Sequence, residues 1–168
     1  MLPTVYWVRD LVRGRLAVVS RPDPAYGLAG QLKSLRGDGV DVLVSMLQTN
    51  EAIRLGLAWE ANVAAEEGLA FHNLPTDDFG VPVSFEAASV LIDTVAADVD
   101  AGRAVGVHCF AGRGRSPLFA CCVLVRLGMD PAAAIEAVST ARGRRIPETE
   151  VQRQWIFDFA AWSRDSGR

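Results

Sequence analysis

Cysteine is scarce: there are three in 168 residues, two of them adjacent at Cys121 and Cys122 within an apolar stretch. That number and spacing exclude a disulfide framework and a zinc-ligand pattern, and they suit a reducing compartment. Positive charge is not in excess either. The formal net charge of −3 excludes a generally basic nucleic-acid binder, so any anion site must be local. No apolar run approaches the ~20 residues of a membrane-spanning helix, and Met1-Leu2-Pro3-Thr4 lacks the basic start and long apolar stretch of a secretion signal. A soluble cytoplasmic protein is the expectation. Repeats, low-complexity tracts and linker-like stretches are missing too, which leaves one globular domain over residues 1–168 as the expected organisation.

What is present is a hydrophobic content of 50% distributed in an α/β pattern. Short apolar runs at Val5–Val8, Leu16–Ser20, Val40–Met46, Leu69–Asn73 and Ala104–His108 read as strands. The third and fifth are nearly continuous, as strands buried on both faces are. Amphipathic stretches at Ala29–Leu35, Glu51–Glu67, Phe85–Asp100, Arg115–Leu127, Pro131–Arg142 and Glu150–Trp162 read as helices. Ser84 and Asp130-Pro131 supply helix starts, and Gly68, Gly102 and Gly128 supply stops. The alternation predicts an α/β fold: a central, mostly parallel sheet of about five strands flanked by helices, with ligands beyond the strands' carboxyl ends. That points to the turn after His108.

The turn reads His108-Cys109-Phe110-Ala111-Gly112-Arg113-Gly114-Arg115-Ser116, between a buried strand and an apolar helix. Backbone N–H groups from Phe110 to Arg115 can converge on one oxyanion, because Gly112 and Gly114 permit positive φ and close approach and the helix start adds unpaired donors. A tetrahedral dianion fits such a nest. The field that holds the dianion also stabilises a thiolate on Cys109 at the loop's first position. Arg115 can fold back to offer two parallel donors to two oxygens, and the Ser116 hydroxyl can donate to the sulfur. His108 is expected to orient the loop from below rather than to transfer protons.

This string resembles the signature of the protein tyrosine phosphatase superfamily, His-Cys-x5-Arg-Ser/Thr, with the small-residue pattern of its dual-specificity members. The resemblance implies a compact dual-specificity phosphatase fold, a phosphocysteine formed on Cys109, Arg115 as phosphoryl clamp, and no metal or other cofactor. Expelling the leaving oxygen needs a proton donor, and Leu74–Pro82, bracketed by prolines, offers Asp77 and Asp78. The family's register, an Asp three residues after a Pro, selects Asp78; the Trp of this loop in tyrosine-specific members is missing. Gln152 matches the family's water-placing Gln, while Trp155, Phe159 and Trp162 read as core packing.

The chain is too short for the extra recognition segment of tyrosine-specific members, which implies phosphotyrosine and phosphoserine or phosphothreonine substrates. Arg113 is either a surface charge paired with a nearby carboxylate or, in its resemblance to the basic loops of phosphoinositide phosphatases, a sign that a lipid or small-molecule phosphate is the alternative partner. Arg142, Arg144 and Arg145 form a basic patch that either meets acidic substrate or caps the preceding helix. Cys121 and Cys122 read as buried small residues. Two other classes compete: a rhodanese-like sulfurtransferase, whose loop does not call for Arg115-Ser116, and a phospho-ligand binding module, disfavoured by the presence of Cys109, Arg115 and Asp78.

Overall fold

The computed structural model describes residues 1–167. Five strands form one sheet in the order β1-β2-β5-β3-β4: β1 (Val5–Trp7), β2 (Arg15–Val19), β3 (Val42–Ser45), β4 (Ala70–Asn73) and β5 (Ala104–His108). β1 runs antiparallel at one edge, and the other four are mutually parallel. β3 and β5 are buried along their whole length, as their unbroken apolar runs require.

The period of two sorts strand residues to two cores. Leu16, Val18, Val42, Val44, Val105 and Val107 pack with α4 (Phe85–Asp100), α5 (Arg115–Arg126), α6 (Pro131–Arg142) and α7 (Glu150–Asp165). Ala17, Val19 and Leu43 pack on the opposite face with α1 (Leu28–Gly37) and α3 (Glu60–Glu66). Helices therefore cover both faces. Helix starts follow local chemistry: Ser84 accepts from the Ala87 N–H, and Asp130 accepts from Ala132 and Ala133 ahead of Pro131. Trp155 and Phe159 stack at 5.7 Å in a cluster with Phe85 and Trp162, so the aromatic stripe is core.

One expected helix is two. The stretch 51–67 divides into α2 (Thr49–Arg54) and α3, and the break is a Schellman cap. Gly56 has φ 72°, its N–H donates to Ile53, and the Leu57 N–H reaches back to Ala52. The two helices differ in burial: α2 buries no residue and leaves Ile53 exposed, whereas Leu57 in the connection and Ala64 of α3 are buried. A 3-10 turn at Pro24–Tyr26, capped by Asp23, is a further addition to the sequence reading.

Because four strands are parallel, their carboxyl ends open on one edge. Residues after β2, β3, β4 and β5 meet there. Two Gly→Ala substitutions should have opposite signs. Gly56→Ala meets only ordinary contacts yet forces a side chain into the left-handed region, and destabilises by about 1–2 kcal/mol. Gly30→Ala, in the exposed first part of α1, stabilises by roughly 0.5–1 kcal/mol. Urea unfolding of both variants checks the pair; equal effects would contradict the cap.

Candidate active site

β5 ends at His108, and the chain turns through Cys109–Gly114 into α5. The loop's carbonyls are drawn outward one by one. Arg142 Nε donates to the Gly112 carbonyl at 2.9 Å, the Glu148 N–H donates to Arg113 at 2.9 Å, and the Leu118 N–H takes Gly114 at 3.0 Å. With these carbonyls engaged elsewhere, the Gly112 N–H points at Cys109 Sγ at 3.3 Å. The two glycines serve different needs. Gly112 has φ 65°, whereas a Cβ on Gly114 would lie 2.7 Å from the Gln152 amide nitrogen.

Cys109 is 3% exposed, and its Sγ is 3.2 Å from Ser116 Oγ. Ser116 is fully buried in the first turn of α5, so its hydroxyl has little freedom to leave the sulfur. His108 lies below the loop, with Nδ1 3.4 Å from the Cys109 carbonyl and Nε2 2.9 Å from a carboxylate oxygen of Glu60.

Arg115 is 1% exposed, and its guanidinium is shared among several strand ends. Two parallel hydrogen bonds of 2.8 and 2.9 Å run to Glu51, another of 3.0 Å to the Thr76 carbonyl, and Asp78 Oδ1 lies 3.2 Å from Nη2. Among the described residues, Nε is buried without an acceptor. Burial alone would ease the proton off Arg115, but Glu51, Cys109 and Asp78 outweigh it and raise its affinity for the proton.

The segment after β4 separates the two aspartates. Asp77 accepts from Gln48 Nε2 at 2.9 Å, while Asp78, 48% exposed, accepts from its neighbour Phe79 N–H and faces Arg115. Phe79 takes φ 60°, an unusual value for an aromatic residue, and this bend sets the direction of the segment. Gln152 is fully buried. It closes a capping box with Thr149 and sends Nε2 to the Gly80 carbonyl at 3.0 Å, so it ties α7 to the aspartate segment.

Glu51, Arg54, Leu55, Asp78 and Phe110 line a cleft of about 250 Å³ at the mouth of the loop. Phe110 is half exposed, and the Arg21 guanidinium lies 5.3 Å over its ring. Sequence reasoning missed Glu51, Glu60, Gln48, Arg21 and Arg54 as neighbours of the site. It also misassigned Arg142, which is neither a substrate-facing cation nor a helix cap: it braces Gly112 and stacks over Tyr6 at 4.1 Å. Arg113 is exposed with no carboxylate at ion-pair distance among the described residues. Cys121 and Cys122 are buried in α5, and burial pushes the Cys121 thiol well above its usual range. No cluster of potential metal ligands occurs among the described residues.

Comparison with known proteins gives a consistent answer. A family described as "Polymorphic toxin system, DSP-PTPase phosphatase" matches residues 17–129. A probable protein tyrosine phosphatase type IVA B of Dictyostelium discoideum is 31% identical over 112 residues, covering 64% of this chain and 69% of that protein. Among solved structures, kinase associated phosphatase superposes with a TM-score of 0.86 at 18% identity over 96% of both chains. PTPMT1 in complex with PI(5)P gives 0.72 at 22% identity, over 90% of this chain and 94% of that one. With the family match spanning more than half of the sequence, the chain belongs to the dual-specificity and protein tyrosine phosphatases and is a cysteine-based phosphatase.

Proposed function

We propose that the protein hydrolyses phosphate monoesters of phosphotyrosine and of phosphoserine or phosphothreonine in proteins, through a phosphocysteine on Cys109. The observation that carries this is the placement of Cys109 Sγ against the Gly112 N–H and the Ser116 hydroxyl, beside a buried Arg115 whose Nε is uncommitted. In the first step the thiolate attacks phosphorus in line, the S–P bond forms, the P–O bond breaks, and Asp78 gives its proton to the leaving oxygen. In the second, water attacks phosphorus, its proton passes to Asp78, and the S–P bond breaks to release phosphate and thiolate. Arg115 and the loop N–H groups stabilise the equatorial oxygens throughout. Ser116 eases departure of the sulfur, and Gln152 acts by holding the Asp78 segment through Gly80.

Residues 1–168 are read as one catalytic domain, because α6 and α7, beyond the family match, pack on α5 and lend Arg142 and Gln152 to the site. Three free thiols suit a reducing, cytoplasmic setting. No helix among the described residues is long and apolar enough to cross a membrane.

A second reading has its own observation. Arg54 at the cleft, which acts electrostatically on Glu51, and Arg113 on the loop are exposed cations with no carboxylate at ion-pair distance among the described residues, which favours a substrate with more than one phosphate.

Cys109→Ser should lower p-nitrophenyl phosphate turnover at least about 10³-fold while vanadate binding persists. Asp78→Asn should cost about 10²–10⁴-fold, and Asp77→Asn only a few-fold. Full activity in the first variant, or the reverse order in the other two, would overturn the assignments. For substrate class, phosphotyrosine and phosphothreonine peptides should both outpace phosphoinositides in a side-by-side phosphate-release panel; the opposite ranking selects the second reading.

Glu51 gives a pH test. Its carboxyl is held below the usual range by the Arg115 hydrogen bonds, against the opposing pull of burial. A depressed carboxyl contributes stability that is complete above its unfolded value of ~4.3 and fades as pH falls through the folded value. In urea unfolding the stability gap between wild type and Glu51→Gln should therefore be full at pH 6 and shrink toward pH 3. A constant gap would show that the pair is not coupled to proton binding.

A further inference from the structure

Asp78 stands at the tip of a tight turn, and both shoulders of that turn are held by glutamine amides. The turn runs from Asp77 to Gly80 and is closed by the Gly80 N–H, which donates to the Asp77 carbonyl at 2.9 Å. Its third residue, Phe79, takes φ 60°, at a turn position that ordinarily needs glycine or asparagine for a positive φ. The Phe79 ring is 62% exposed, so packing does little to offset the strain, and contacts outside the turn must hold it.

Those contacts come from two directions. Gln152 Nε2 of α7 donates to the Gly80 carbonyl at 3.0 Å, and Gln48 Nε2, just ahead of α2, donates to Asp77 Oδ1 at 2.9 Å. The Gln48 backbone N–H also donates to Glu51 Oε2 at 3.3 Å, the oxygen that accepts from Arg115 Nη1. Clamp and aspartate turn are thus fastened to one residue. Asp78 itself is half exposed. It accepts from the adjacent Phe79 N–H at 3.1 Å and meets Arg115 at 3.2 Å, a contact for which a bound phosphate competes.

We propose that Gln48 is a positioning residue for the acid: through Asp77 it fixes the turn, so that Asp78 keeps its place at the cleft when a phosphate dianion takes over Arg115. Asp77 then serves as a hydrogen-bond acceptor and not as a second acid. The inference rests on the reading of Asp78 as proton donor.

Protonation of the leaving oxygen matters most when the leaving group is poor, so two aryl esters give the readout. In the full-length chain, Gln48→Leu should lower kcat/KM for phenyl phosphate about tenfold, the worth of one hydrogen bond, and that for dinitrophenyl phosphate less than about twofold. Vanadate inhibition should be unchanged. Asp77→Ala removes the acceptor and should give the same split, and joining it to Gln48→Leu should cost nothing more, because both delete one bond. Exchanging donor and acceptor tests the bond itself. Gln48→Glu alone repels Asp77, whereas Gln48→Glu with Asp77→Asn carries the original charge and the original bond, and should regain at least about half of the wild-type phenyl phosphate rate. Asp77→Ala lies at an exposed position and decides the matter even where Gln48→Leu does not fold. An unchanged ratio of the two esters, additive losses, or no recovery in the exchanged pair overturns the inference, provided that Asp78→Asn shifts the ratio. If Asp78→Asn leaves the ratio unchanged, the reading of Asp78 as acid falls first.

Discussion

A guanidinium sealed at the first turn of a helix sets the terms for its surroundings. Taking Arg115 out of water costs several kcal/mol unless oxygens replace the hydration shell. The replacements come from separate parts of the chain: the Thr76 carbonyl beyond β4, Glu51 from α2, and Asp78 from the segment that follows Thr76. They can meet because the parallel order β2-β5-β3-β4 brings strand ends to one edge. The same contacts that make the buried cation tolerable also fix where it stands, which is what a phosphoryl clamp needs.

A second accounting concerns peptide groups. A tight loop can gather N–H donors around one point only if its carbonyls find partners elsewhere. Here Arg142, Glu148 and the helix itself take three of them, and all three lie beyond the loop in the chain. The helices that follow α5 therefore do more than cover the sheet. They set the polarity of the nest, and through Gln152 they also hold the aspartate segment that closes over it.

How much of this was legible follows from how local each feature is. The strand, loop and helix around Cys109 were readable because buried strand, glycines and helix start are contiguous. The caps at Ser84 and Asp130 were readable for the same reason. Glu51 and Glu60 were not, since within the single helix expected over Glu51–Glu67 nothing singles out either carboxylate. Gly56 followed by Leu57 was the missed signal: a Schellman cap there splits the stretch and turns both carboxylates toward the sheet edge. Arg142 shows the converse error. Three arginines close in sequence read as a patch, but a side chain's partner is set by packing, and this one lies against Tyr6 and Gly112. Asp77 and Asp78 differ by one residue, and only the third dimension assigns Gln48 to the first and Arg115 to the second.

The contact between Asp78 and Arg115 carries the last step. Asp78 is half exposed and touches one guanidinium nitrogen through one oxygen, whereas Glu51 is held by two parallel bonds. The looser partner is the one that yields to an incoming ligand. A phosphoryl dianion presents two oxygens and twice the charge, and it also satisfies the uncommitted Nε. On the proposed route, substrate binding takes Arg115 away from Asp78 and leaves Glu51 in place. The clamp keeps its anchor while the acid is freed at the mouth of the cleft, where the leaving oxygen must lie. The asymmetry between a bidentate anchor and a single-contact lid thus orders the sequence of events: the aspartate becomes available when a phosphate is there to use it.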